Sequence, residues 1–314
     1  MDYVGLVQKF KVNRPLTDEE RAMRLRQKER LQVDPSDQLA VIKVNSTFVE
    51  TVDRYYANKG WLTLWAMAGL SLTVVLFSIS VSPVFIYPDE LMRWIAVVLV
   101  GTAISFGLFA IGGWLFFKEA LSYTHFPLRL NRKTRMVHAF RQDGTVLTVP
   151  WDEVFFAIGR GMRPYGVQNW DVRGHVLAED GETVQETFCF ADVESREIVT
   201  RHWEFLRRYM EDGPEAAYRK IKYCMPVDGR RETFRDSYWR LMEEEWFLPL
   251  RYLGFPLIIL AICARWLAMR LGKVPHWPAE IEAACRIDPG DPYIKDARRN
   301  PPELRVGEPA DAVA

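Results

Sequence analysis

Two long uncharged stretches interrupt an otherwise charge-rich chain. Residues 60–87 (GWLTLWAMAGLSLTVVLFSISVSPVFIY) and 94–117 (WIAVVLVGTAISFGLFAIGGWLFF) contain no Asp, Glu, Lys, Arg or His. Each exceeds the roughly 20 residues an α-helix needs to cross a hydrocarbon core of about 30 Å. Only Pro88 to Arg93 separates them, enough for a tight turn, so the pattern predicts a transmembrane helical hairpin over 60–117. Trp61, Trp65, Tyr87, Trp94 and Trp114 near its ends are the amphipathic aromatics expected at headgroup depth.

A third apolar run, over 246–270, carries Arg251 and Arg265 and is interrupted by Pro249 and Pro256. Three readings stay open for it: a full span, a re-entrant segment or an interfacial helix. Before the hairpin, residues 1–59 read as a helical region. Thr17 and Glu20 form a capping box for a charged helix reaching about Leu31, and a second helix is expected from Asp37 or Ser46 to Asn58. After the hairpin the period changes to two. Strands are expected at 127–130, 136–140, 145–149, 154–158, 171–178 and 183–190, with Asp143-Gly144 and Asp180-Gly181 as hairpin turns. An amphipathic helix then follows over 193–211, capped by Asp192. Residues 213–245 read as a helical connector and 271–314 as a tail with a disordered end. The fold class is therefore an α+β membrane protein: N-terminal helices, hairpin, a small β-barrel or curled sheet over 118–212 closed by a helix, then the third apolar segment.

Charge sets the orientation. Lys43, Arg54 and Lys59 precede the hairpin and Lys118, Arg129, Arg132, Lys133 and Arg135 follow it, whereas the turn offers Arg93 against Asp89 and Glu90. The positive-inside bias puts the N-terminus and the β-rich region in the cytoplasm. The 41 basic and 41 acidic residues balance, which argues against a nucleic-acid binder. No apolar leader with a basic start occupies the first 30 residues, so no cleavable signal peptide is expected.

The search for chemistry is short. The five histidines have no paired metal-ligand spacing, and the four cysteines lack a CxxC pair and read as reduced structural thiols. Gly159-Arg160-Gly161 lacks the form of a phosphate loop. No catalytic residue, cofactor or metal site is expected. Arg129, Arg132, Lys133 and Arg135, extended by Arg160 and Arg163, are candidate contacts for anionic headgroups or a partner protein; topogenic charge on an exposed turn is the plainer reading. Gly101 with Ser105 and Ala103 with Gly107 form small-xxx-small pairs for helix packing, within the hairpin or in a homo-oligomer.

The run LRLNRKTRMVHAFRQDGTVLTVPWDEV, with its Pro-Trp-Asp-Glu-Val end, is similar to bacterial pleckstrin-homology-like domains, which often follow a two-helix membrane hairpin. The arrangement of the hairpin with the stretch from Asn131-Arg132-Lys133 to Trp151 resembles uncharacterised proteobacterial membrane proteins encoded beside type VI secretion toxins. These resemblances imply a non-enzymatic, inner-membrane-anchored interaction protein, an accessory or immunity protein whose partner is a toxin or secretion component. The alternative is a subunit of a membrane transport or pore complex.

Overall fold

The computed structural model describes residues 6–7, 9–162, 168–193, 195–244 and 255–301. The chain divides into two compact units. The first comprises Met1–Asn58, Tyr123–Asp236 and Val274–Ala314; the second comprises Lys59–Ser122 and Ser237–Lys273.

Among its described residues the first unit holds ten strands in two antiparallel five-stranded sheets. One has the order β1-β10-β9-β8-β2, with β1 at Arg14–Pro15, β2 at Arg24–Leu25, β8 at Phe155–Met162, β9 at Gln168–Leu177 and β10 at Thr183–Val193. The other runs β3-β4-β5-β6-β7, from β3 at Val41–Val44 and β4 at Phe48–Thr51 to β5 at Leu128–Asn131, β6 at Met136–Phe140 and β7 at Val146–Pro150. Among the described residues no strand of one sheet pairs with a strand of the other, so there is no closed barrel.

Local chemistry builds both expected hairpins. Asp143 Oδ1 accepts from the Thr145 amide and hydroxyl while Gly144 takes φ +88°. Asp180 likewise accepts from the amides of Glu182 and Thr183, with Gly181 at φ +69°. Only glycine takes that left-handed backbone without steric cost.

The helix expected to end at Asn58 is instead the β3–β4 hairpin. Asn45 Oδ1 accepts from the amides of Thr47 and Phe48, a side-chain-made turn without glycine, and β4 then pairs with β5 from beyond the apolar helical hairpin. The capping box at Thr17 and Glu20 forms as predicted, but its helix α1 is only Asp18–Ala22. It does not reach Leu31, because Met23 accepts from the Ile158 amide and Arg24–Leu25 pair with β8. Nor is α1 charged on every open side: Glu20 is buried, gripped by Arg14 at 2.6 Å.

Helix α4 (Arg196–Glu211) supplies Val199, Trp203, Phe205, Leu206, Tyr209 and Met210 to the main core. Its N-cap is Ser195, which accepts from the Glu197 amide; Asp192, expected to cap it, belongs to β10. Trp203 stacks on Trp151 at 5.5 Å, and Phe156 lies against both. Each such aromatic pair adds about 0.5–1.5 kcal/mol beyond the area it buries. The short helix α5 (Pro214–Tyr218) follows.

The segment expected to be a tail instead packs against the second sheet and is tied to it by one bridge. Lys295 and Val44 exchange backbone hydrogen bonds at 2.9 Å. Ahead of that bridge, in a helix over Ala279–Ala284 and the residue after it, Ile281 and Cys285 pack with Phe48. The expectation of a disordered end falls on residues 302–314, outside the described residues.

In the second unit α2 (Trp61–Ile86) and α3 (Leu91–Glu119) form the predicted hairpin. Both are long and apolar enough to cross a membrane. Gly101 lies so close to Ser80 that a Cβ there would meet its Oγ at 2.1 Å, and at the open end Glu119 accepts from the Thr63 amide at 2.6 Å. Helix α6 (Phe234–Glu244) provides Leu241 and Met242 to a cluster with Leu64. The third apolar run appears as α7 (Phe255–Leu271); its part over residues 245–254, including the Pro249 and Arg251 expectations, lies outside the described residues.

Candidate functional site

The basic cluster does not form one surface. Arg129, on β5, points inward and is fully buried. Its Nε and Nη2 donate to Glu50 at 2.9 and 2.7 Å, and Nη2 also donates to Glu282 at 3.0 Å. The guanidinium sits between the rings of Phe48 and Trp277, 4.4 and 4.7 Å from their centroids. Burial alone would lower its pKa, but Glu50 and Glu282 outweigh burial and hold it above the ordinary value. Arg132 donates to the Ser46 carbonyl at 3.0 and 3.2 Å. Lys133 pairs with Asp288 at 2.6 Å. Arg135 bridges Asp152 and Glu211, the carboxylate that also accepts from Trp151 Nε1. Arg160 stands apart on β8, over the Trp170 ring at 5.8 Å and 3.8 Å from Glu19. Arg163 lies outside the described residues.

Buried ionic groups that no sequence pattern announced lie elsewhere in the same unit. Asp171 receives both Arg54, by a short contact, and Arg173 at 2.9 Å. Beside them the Cys189 thiol is pushed up to about 12 by burial. Asp53 accepts from the amides of Phe126, Tyr55 and Tyr56, tying β4's exit to the entry of β5. Charges placed this way are satisfied by neighbours and hold the fold. Among the described residues no group of three or more His, Cys, Asp and Glu could hold a metal ion.

One recess of about 420 Å³ is lined by residues 34–39, Arg201, Lys220 and Lys222. Its loop is strained: Gln38 and Leu39 take φ +53° and +51°, the left-handed region that costs non-glycine residues about 1–2 kcal/mol each. Asp37 in its wall is buried, and burial pushes the carboxyl up to about 6 against the Leu39 amide that stabilises the charged form. On the rim Asp34 pairs with Lys220 and with Arg201. Two carboxylates, three cations and a partly exposed Leu39 suit a polar, charged contact rather than an apolar ligand.

The remaining candidate surface is the hairpin. Ile79, Leu99 and Phe106 are 63%, 64% and 73% exposed, as are most large apolar side chains of α2 and α3. Of the two small-residue pairs, Gly101 and Ser105 face the α2 side, with Ser105 buried. Ala103 and Gly107 are exposed, and a Cβ on Gly107 would meet nothing.

Residues 106–289, more than half of the chain, match the model of a family described as a family of unknown function, DUF6708. No curated protein matches the chain, and no solved structure does.

Proposed function

The chain belongs to the DUF6708 family of unknown function, and on that footing we propose that it is a membrane-anchored, non-catalytic binding protein. The observation that carries this reading is a contrast between the two units. The first gathers its large apolar side chains into one main core, whereas α2 and α3 leave theirs open along most of their length. At 1.5 Å per residue, α2 extends about 39 Å, more than a hydrocarbon core. Helices with every backbone group bonded internally suit lipid, where water is absent. The flanking Lys and Arg residues support an orientation with the β-rich unit on the cytoplasmic side, and the resemblance to proteobacterial proteins suggests a bacterial inner membrane.

The β-rich unit is the binding part of this reading. The two sheets with α4 packed on them are compatible with a divergent pleckstrin-homology-like domain. The engagement of Arg129, Arg132, Lys133 and Arg135 with their own chain favours a protein client over headgroups. The charged recess and the open edge at β7, where a client segment can add a strand, are its contact surfaces. The resemblance to proteins encoded beside type VI toxins supplies the setting, an accessory or immunity role.

Alkaline carbonate washing of membranes tests the anchor: the full-length protein stays in the pellet, and release into the supernatant sinks the reading. Where a toxin gene adjoins its own, co-expression with that toxin tests the role. Survival, lost with Arg201→Glu and Lys220→Glu together, supports it; no protection and no co-purification with the toxin overturns it. The exposed Ala103 and Gly107 favour a second reading, a subunit of a transport or pore assembly. Native mass spectrometry separates the two, since a pore subunit runs as a closed oligomer.

A further inference from the structure

We propose that α7 is a third membrane element that enters only one leaflet, the one at the Trp61 and Glu119 ends of the hairpin, and does not cross. This rests on the membrane-anchor reading and deepens it.

Chain connectivity is the first argument. Residues before α7 (Tyr123–Asp236) and after it (Val274 onward) belong to the same folded unit. Asn131 donates to the Ala284 carbonyl at 2.9 Å, and Cys224 and Asn300 exchange hydrogen bonds at 2.7 and 2.8 Å. A single crossing between residues 237 and 273 would put these partners on opposite faces of the bilayer.

Packing within the second unit is the second argument. Ile258, Ala261, Ile262 and Ala264 cluster with Leu64 of α2 and with Leu241 and Met242 of α6. A Cβ on Gly60, whose φ is +99°, would stand 2.5 Å from the Arg265 Cα, so α7 crosses the chain in backbone contact at the start of α2. Arg265 donates to the Lys59 carbonyl at 3.2 Å and is fully buried, so its charge is turned into the unit and not toward lipid. The buried positions of α2 are Leu62, Thr63, Leu64 and Ala66, then only Thr73 and Pro83. The α7 contacts are thus confined to the Trp61 end, and the Lys273 amide closes on the Ser122 carbonyl at 2.9 Å, just past α3.

Lipid is the occupant that fits the remaining face. Leu257, Ile259, Leu260 and Leu271 are exposed there, continuous in character with the open face of α2 and α3. Arg270 lies over the Trp266 ring at 5.7 Å at the exit, an aromatic–cation pair suited to headgroup depth.

Cys263 gives the test, because it is exposed on α7 while Cys189, Cys224 and Cys285 are buried. The full-length protein is reconstituted in phosphatidylcholine–phosphatidylglycerol vesicles with bimane on Cys263. Spin-labelled lipids carry the quencher either near the headgroup or near the chain terminus. A control carries bimane on Phe106→Cys in a Cys263→Ala background, at the middle of α3. The shallow quencher should dominate at Cys263 and the deep one at Phe106→Cys. Deep quenching at Cys263 overturns the proposal, and so does absence of quenching there while the control is quenched. If the control is not quenched either, the membrane anchor itself fails.

Discussion

Arg129 sits where a solvated surface cation was expected, and its surroundings explain why it went inside. Two aromatic faces and two carboxylates replace the water it gives up. Its charge now compensates buried Glu50, so Arg129→Met should destabilise the unit by up to about 3–5 kcal/mol, leaving that carboxylate with only Lys43 at 3.7 Å and the Trp277 indole N–H at 3.1 Å. Lys133→Ala, at a half-exposed pair with Asp288, should cost less than about 1 kcal/mol. Urea titration of full-length protein in detergent, read by tryptophan fluorescence, compares the two; equal effects would contradict the placement of Arg129. Titratable residues also give a pH signature. Burial pushes His138 and His202 down to about 4, below the ordinary value of 6.5. The unfolded chain therefore binds protons that the native state refuses, and stability falls as pH drops from 6.5 towards 4. Asp37 works in the opposite sense: its carboxyl, raised from 3.8 to about 6, makes stability fall as pH rises through that interval. Asp37→Asn should thus stabilise the protein at pH 8 by at most about 3 kcal/mol and leave it unchanged at pH 3.5. Melting temperatures at the two pH values check this, and equal shifts would refute it.

Secondary elements were legible where their determinants are local. Two Asp-Gly turns marked the hairpins β6–β7 and β9–β10, and the amphipathic period marked α4. The β3–β4 hairpin was not legible, because Asn45 makes its turn without glycine and β4 finds its outer partner across the whole apolar helical hairpin. The ion pairs were hidden for the same reason: Glu50 and Arg129 lie 79 positions apart, and Lys133 and Asp288 lie 155 apart. Spacing rules see neighbours, and these partners meet only in the folded chain. Small residues in α3 were legible as a motif but not by face, since only contact with Ser80 distinguishes Gly101 from Gly107. Gly101→Val should therefore push α2 and α3 apart, and Gly107→Val should not. Disulfide formation between Leu70→Cys and Gly112→Cys, whose positions touch, reports the spacing. It should slow with the first substitution only; equal rates would show that Gly101 is not the point of close approach.

At the scale of the whole molecule, the chain leaves its β-rich unit twice and returns to it twice, first for α2 and α3 and later for α6 and α7. Reporter domains fused at the two termini should therefore share one compartment, which alkaline phosphatase and fluorescent-protein fusions read directly; opposite compartments would contradict this arrangement. The same weave fixes an order of events during synthesis. When β4 leaves the ribosome its neighbour β5 does not yet exist, and under the proposed membrane anchoring the intervening residues are the ones the insertion machinery must take first. Once α2 and α3 are inserted, the hydrogen bond between Thr63 and Glu119 holds their open ends together, so most of the loop entropy of joining β4 to β5 is already lost. Completion waits still longer, for Lys295 to reach Val44. Nascent chains stalled with residue 275 just outside the ribosome should stay protease-sensitive in the second sheet, and those stalled beyond residue 301 should resist.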